Sequence, residues 1–302
     1  MPNITGSEPV FLFVLTVKGL AVERDHRISG AIDKNMKLTL YISVIFSLFF
    51  SLLVPILNNG NEFRIIAAIG LSVFVIFHGI HRYGWQKMSI FMGITFIISL
   101  ATETLSISTG FPFGNYYYTE LLGIKVGTVP WGIMLAYFFT GYLAWTIGGV
   151  FLNETSAGIK KKNLILVPVI SAFFMVLWNL SFDPVMSTIE GNWIWVAGRG
   201  VMGVPFTNYF GWFLTTYISY QIFALVLYNT KSNEAVTQKK WYWILVPVMF
   251  IIQGIEYLIH PFLRNEHMDI YRTVFFITIF GIVFVSLLCI FYIMKKKTKF
   301  GQ

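Results

Sequence analysis

One cysteine, Cys289, is all that this 302-residue chain contains, which excludes a disulfide framework and a cysteine-based zinc site. Charge is equally scarce. Asp, Glu, Lys and Arg make up 12% of the residues, against roughly 25% in an ordinary soluble domain. The four aspartates, Asp25, Asp33, Asp183 and Asp269, offer no pair spaced to hold Mg²⁺ and a diphosphate, which argues against a prenyltransferase. Five histidines are too few for a membrane di-iron hydroxylase. His78-x-x-His81 could share a metal by spacing alone, but an interfacial or hydrogen-bonding role fits the pair better, and no metal is expected. No Ser/His/Asp or Cys/His arrangement lies at one membrane depth, so covalent hydrolysis has no support. Gly198-x-Gly200-x-x-Gly203 has no strand before it and meets Pro205 just after it, which removes the context a dinucleotide fingerprint requires.

What is present is apolar surface. Hydrophobic residues are 56% of the chain and the mean hydropathy is +0.69. Such a chain cannot cover a water-facing surface. Eight hydrophobic runs stand out, at 36–57, 65–81, 88–107, 131–152, 164–182, 209–228, 241–260 and 270–294. Most approach the roughly 20 residues that cross a bilayer, and lipid-exposed backbone forces them to be helices. The expected fold is an all-α polytopic bundle of about eight transmembrane helices, over 36–294. It is preceded by an N-terminal interfacial segment, 1–35, and followed by a basic tail, 295–302. Segment 9–22 is too short to span, carries Lys18 and has no basic stretch before it. It reads as an interfacial or re-entrant helix rather than a signal peptide.

The net charge of +8 would suggest nucleic acid in a soluble protein, but here the basic residues sit in short blocks between apolar runs. No nucleic-acid partner is expected. Seventeen of the 22 Lys+Arg fall in the N-terminal stretch, alternate loops and the tail, and five on the other side. That asymmetry places both termini in the cytoplasm of a multi-pass cell-membrane protein.

Two long loops, 108–130 and 183–208, then lie on the non-cytoplasmic side. They are rich in glycine and aromatics, and they read as capping or re-entrant segments. They echo each other. Glu103 is followed by Tyr116-Tyr117-Tyr118 and Gly127-Thr128-Val129-Pro130; Asp183 is followed by Trp193-Ile194-Trp195 and Gly203-Val204-Pro205. A parallel internal repeat would produce this order, although the acid-to-proline spacings differ, at 27 and 22 residues.

Ionisable groups inside spans are functional candidates. Thr95, Ser99, Glu103 and Ser106 recur at spacings of four, four and three, which puts them on one helix face. Asn179 and Asp183 end the fifth span; Gln253, Glu256 and His260 share a face of the seventh. Three carboxyl groups from three helices are expected to converge on one cavity. Loss of water favours the protonated form of a carboxyl group, which suits proton donation near neutral pH. The competing structural role is an acid paired with Arg199 or His260 for helix packing.

The string Glu103, Gly110-Phe111-Pro112-Phe113-Gly114-Asn115-Tyr116-Tyr117-Tyr118, Gly127-Thr128-Val129-Pro130 resembles the first signature of the membrane hydratases of carotenoid biosynthesis, the CruF type. Asp183-Pro184-Val185-Met186, Gly191-Asn192-Trp193-Ile194-Trp195, Gly203-Val204-Pro205 and Asn208-Tyr209-Phe210-Gly211-Trp212 are similar to the second. The likeness covers about residues 88–228. It implies addition of water to the terminal isopropylidene double bond of an acyclic carotenoid end, as in bisanhydrobacterioruberin, lycopene or γ-carotene, to give a tertiary alcohol. On that reading Glu103 or Asp183 is the general acid and the other positions the water, with Glu256 third. Phe113, Tyr116, Tyr118, Trp193, Trp195 and Trp212 are expected to bind the substrate and to face the cation, which aromatic rings stabilise; Asn179 and Asn208 bind the water. No cofactor is needed. The expected partners are the lipophilic carotenoid, the bilayer and other membrane enzymes of the pathway. Two other activities use similar residues: a carotenoid cyclase or isomerase, and a proton-coupled transporter. A non-enzymatic assembly protein is a further alternative, one that would tolerate loss of all three acids.

Overall fold

The computed structural model describes residues 34–57, 60–196, 200–228, 230 and 239–296. The segment 9–22, Arg199 and residues 297–302 of the tail lie outside the described residues. Among the described residues, seven helices are long and apolar enough to cross a membrane. The second of them, Glu62–Thr109, has 48 residues. As one straight helix it would run roughly 70 Å, more than twice the thickness of a hydrocarbon core. It does not run straight. Gly84 has φ 77° and ψ 161°, a conformation open to glycine and strained for other residues. A Cβ on Gly79 would collide with the side chain of Met88. Residues nine apart meet this way only where the chain doubles back.

The hairpin at Gly84 therefore supplies two spans and restores the expected eight. They are α1 (Lys34–Leu53), α2 (62–83), α3 (85–109), α4 (Trp131–Phe151), α5 (Lys161–Ile189), α6 (Phe206–Tyr228), α7 (Lys240–Leu263) and α8 (Met268–Lys295). The protein is an all-α polytopic membrane protein. α5 ends in a π-helical turn, Pro184–Ile189, and a second π turn, Thr278–Val283, interrupts α8.

α4 is the central helix: 83% of its spanning window is buried. It packs on α3 and α5, and α6 packs on the same two. The four form a ring in which α3 and α5 take opposite corners. α1, α2, α7 and α8 wrap it. At one end of the bundle Lys37 lies over Trp241, 5.7 Å from its ring, and Lys240 donates to the Met294 carbonyl at 2.8 Å. Arg82 donates there to the carbonyl of Glu154 at 2.7 Å. The start of α1, the Gly84 hairpin, the α4–α5 loop and the end of α8 thus share one end.

The opposite end is closed by the two long loops. Their aromatic triplets form an antiparallel ribbon, β1 (Tyr116–Tyr118) with β4 (Trp193–Trp195), in the register Tyr116↔Trp195, Tyr117↔Ile194 and Tyr118↔Trp193. Alternation along a strand turns Tyr116, Tyr118 and Trp193 inward and leaves Tyr117 and Ile194 exposed. Each loop then makes a tight turn into the next helix. Val126 pairs with Val129 between β2 (Lys125–Val126) and β3 (Val129–Pro130), and Val201 bridges to Val204 before Pro205. Both turns read Val-x-x-Val-Pro-aromatic, so the echo between the loops extends to their backbone.

Candidate active site

The site lies inside the four-helix ring, beneath the ribbon. Ser106, on the buried face of α3, builds its first wall. Its hydroxyl donates to the Gly114 carbonyl at 3.0 Å and accepts from the Phe113 amide at 3.0 Å. That turn delivers Phe113 onto Gly211 of α6, where a Cβ would collide with the ring. Thr207 fastens the same turn by donating to the Phe113 carbonyl at 3.0 Å.

Glu103, one turn before Ser106, is buried and receives three phenol hydroxyls. Tyr116 and Tyr118 both donate to Oε2, the latter at 2.9 Å, and Tyr137 of α4 donates to Oε1 at 3.1 Å. Burial, together with the Glu103 charge beside them, pushes Tyr116 and Tyr118 well above the usual phenol range. Both remain O–H donors at any physiological pH. Tyr137 also stacks on Trp212, with centroids 4.2 Å apart and planes 10° from parallel.

Asp183, buried on α5 just before its π turn, is held differently. Asn208 of α6 donates its Nδ2 to Asp183 Oδ2 and also to Asn179 Oδ1, the latter at 3.2 Å. Asp183 Oδ1 and Asn179 Nδ2 are buried without a hydrogen-bond partner among the described residues. Unpaired buried polar atoms are costly, so they mark a place where something polar is meant to bind.

Glu103 and Asp183 line one cavity with Phe113, Tyr116, Tyr118, Trp193, Trp195, Asn208 and Trp212. Ile133, Ala136 and Phe182 complete the wall. The free volume is about 20 Å³, enough for one water molecule against the roughly 10–15 Å³ that a water centre needs. Asn179 stands behind Asn208 rather than in the wall. Tyr137, Ile133, Ala136 and Phe182 were not among the expected site residues. Nothing marks them in the sequence, because α4 is apolar all round and the chain has 15 tyrosines and 30 phenylalanines.

The third carboxyl group does not join the other two, which corrects the expected convergence of all three. Glu256 is clasped by Arg64 of α2, whose Nη2 lies 2.8 Å from Oε2 and whose Nε lies 3.2 Å from both oxygens. The same guanidinium holds Glu190 at 2.9 and 3.1 Å. Two carboxylates on one arginine fork form a charge-assisted cluster, and it draws Glu256 to α2 instead of the cavity. Glu190 in turn accepts from Asn192 Nδ2 at 3.1 Å, next to β4. Glu256→Gln is expected to retain catalytic turnover while lowering thermal stability by about 1–3 kcal/mol, the cost of one charge-assisted hydrogen-bond set. Activity and a melting curve on the same membranes check both halves.

His78 uses both ring nitrogens within the bundle, Nδ1 with the Tyr142 hydroxyl at 2.7 Å and Nε2 with the Tyr242 carbonyl at 3.1 Å. It lies at the end of the bundle opposite the carboxyl groups. Among the described residues no group of three or more His, Cys, Asp or Glu could hold a metal ion.

No solved structure matches the chain. A bisanhydrobacterioruberin hydratase of Haloarcula japonica is 27% identical over 128 residues, 42% of this chain and 41% of the relative. The chain therefore spans about two fifths of the length of the curated relative it matches. The family model described as carotenoid biosynthesis protein matches residues 60–287, from α2 into α8, with both cavity acids inside the matched region. This multi-pass membrane chain belongs to the carotenoid biosynthesis protein family.

Proposed function

We propose that the protein is a cofactor-independent hydratase that adds water to the terminal isopropylidene double bond of an acyclic carotenoid end. The observation that carries this reading is the pairing of two buried carboxyl groups across a cavity of one-water size, walled by aromatic rings. Hydration of a trisubstituted alkene needs a proton donor, a face for a tertiary cation and one held water. The cavity offers one group for each task.

The hydrogen bonds separate the two acids. Glu103 receives three O–H donors and has nothing left to give, so the carboxylate form satisfies its surroundings. Asp183 keeps one oxygen without a hydrogen-bond partner among the described residues. Asp183 is the general acid. It transfers its proton to the CH carbon of the alkene, and the positive charge develops on the dimethyl carbon. The faces of Trp212, Trp195 and Tyr116 stabilise that charge by about 0.5–2 kcal/mol each. Water then forms the C–O bond, and its surplus proton passes to Glu103. Return of that proton to Asp183 closes the cycle, with one water consumed and no electron transferred.

A five-carbon end is larger than the present cavity. Phe182 and Trp195 are the partly exposed aromatics of its wall, and the substrate enters by displacing them. Among the described residues most of the basic side chains, Lys37, Arg82 and Lys240 among them, lie at the opposite end of the bundle, which supports a cytoplasmic position for both termini and a site in the other half of the membrane.

Membranes containing the protein, incubated with several acyclic carotenoids, are expected to yield products heavier by one water. A product of unchanged mass would identify a cyclase or isomerase, and an unaltered pigment pool would remove the enzymatic reading.

A further inference from the structure

Tyr137 does not line the cavity, yet it touches two groups that do. Its hydroxyl donates to Glu103 Oε1 at 3.1 Å, and its ring lies flat on Trp212 at 4.2 Å. The hydroxyl is the more telling contact. A carboxylate offers about four lone-pair sites over its two oxygens. Among the described residues, Oε2 already accepts from Tyr116 and Tyr118, while Oε1 accepts from Tyr137 alone. Room for a water O–H therefore remains on Oε1, the oxygen whose direction Tyr137 sets. The stacked ring meanwhile fixes the plane of Trp212, a wall of the space in which the cation forms.

We infer that Tyr137 is a positioning residue for the water-capture step: it aims Glu103 Oε1 at the incoming water and holds the Trp212 face against the cation. The inference rests on the hydratase reading. It assigns the Tyr137 hydroxyl to the fate of the cation, not to its formation. A cation that is not met promptly by a well-held water reverts to alkene by losing a hydrogen from the carbon that received the proton, and the alkene keeps the delivered isotope whenever the original hydrogen is the one that leaves. Loss of the Tyr137 hydroxyl therefore shifts the partition between capture and return.

The test is Tyr137→Phe, which keeps the stacked ring, assayed in heavy water with an acyclic carotenoid. Tyr220→Phe is the control. Tyr220 is equally buried, its hydroxyl donates to the Gly141 carbonyl of the same α4 at 2.9 Å, and it does not line the cavity. In Tyr137→Phe, alcohol formation is expected to fall about tenfold, the worth of one hydrogen bond to a charged group. Deuterium in the recovered alkene, per alcohol formed, is expected to rise by a similar factor. Tyr220→Phe is expected to keep the wild-type ratio whatever its abundance. The ratio does not depend on how much protein is present, so reduced folding does not mimic the effect. An unchanged ratio in Tyr137→Phe, or an equal shift in Tyr220→Phe, overturns the inference while leaving the hydratase reading in place. So does failure of Tyr137→Phe alone to accumulate. Absence of alcohol from the wild type overturns the hydratase reading, and this inference with it.

Discussion

Asp183→Asn is expected to lower hydration by about 10²–10⁴-fold, the range over which a positioned general acid contributes, in membranes that hold normal amounts of the protein. Asparagine occupies nearly the same volume, and its carbonyl can still accept from Asn208. What it cannot do is release a proton to a carbon. Pigment analysis in a carotenoid-producing host reads the effect directly. In heavy water the variant's recovered substrate should carry no deuterium, because the cation never forms.

Glu103→Gln should lose activity to a similar degree, about 10²–10³-fold, by a different route. Glutamine can still accept the hydroxyls of Tyr116 and Tyr118 on its carbonyl, so the ribbon remains seated. Its amide cannot take the proton from an attacking water. The cation then forms and reverts, and the recovered alkene is expected to carry deuterium while little alcohol accumulates. The two variants thus look alike in pigment yield and opposite in isotope content. If the patterns are exchanged, the acid and base assignments are exchanged with them. Normal alcohol yield from both variants would remove the carboxyl mechanism.

Much of this arrangement is legible in the residues themselves. Hydropathy marks all eight spans, including the two that meet at Gly84, because a hairpin between helices still needs two bilayer-length apolar runs. The spacing of Thr95, Ser99, Glu103 and Ser106 predicts a bundle-facing stripe, and all four side chains are buried. The cavity walls were visible as aromatic clusters beside acids. Three features were not legible. The β1–β4 register depends on two loops separated by two spans, and nothing local specifies it. Tyr137 sits on a helix with no polar stripe to single it out. Arg64 reads as one charge among five outside the basic blocks, and only the packing of α2 against α7 reveals that it removes Glu256 from the cavity.

The hydration chemistry and the source of the new oxygen stand or fall together. The most direct measurement is the oxygen isotope in the alcohol formed by wild-type membranes in heavy-oxygen water, with and without molecular oxygen. Label in the new hydroxyl, unaffected by removing oxygen gas, is the predicted result. A hydroxyl that carries no label from water, or that forms only under oxygen gas, would contradict proton addition and water capture at Asp183 and Glu103.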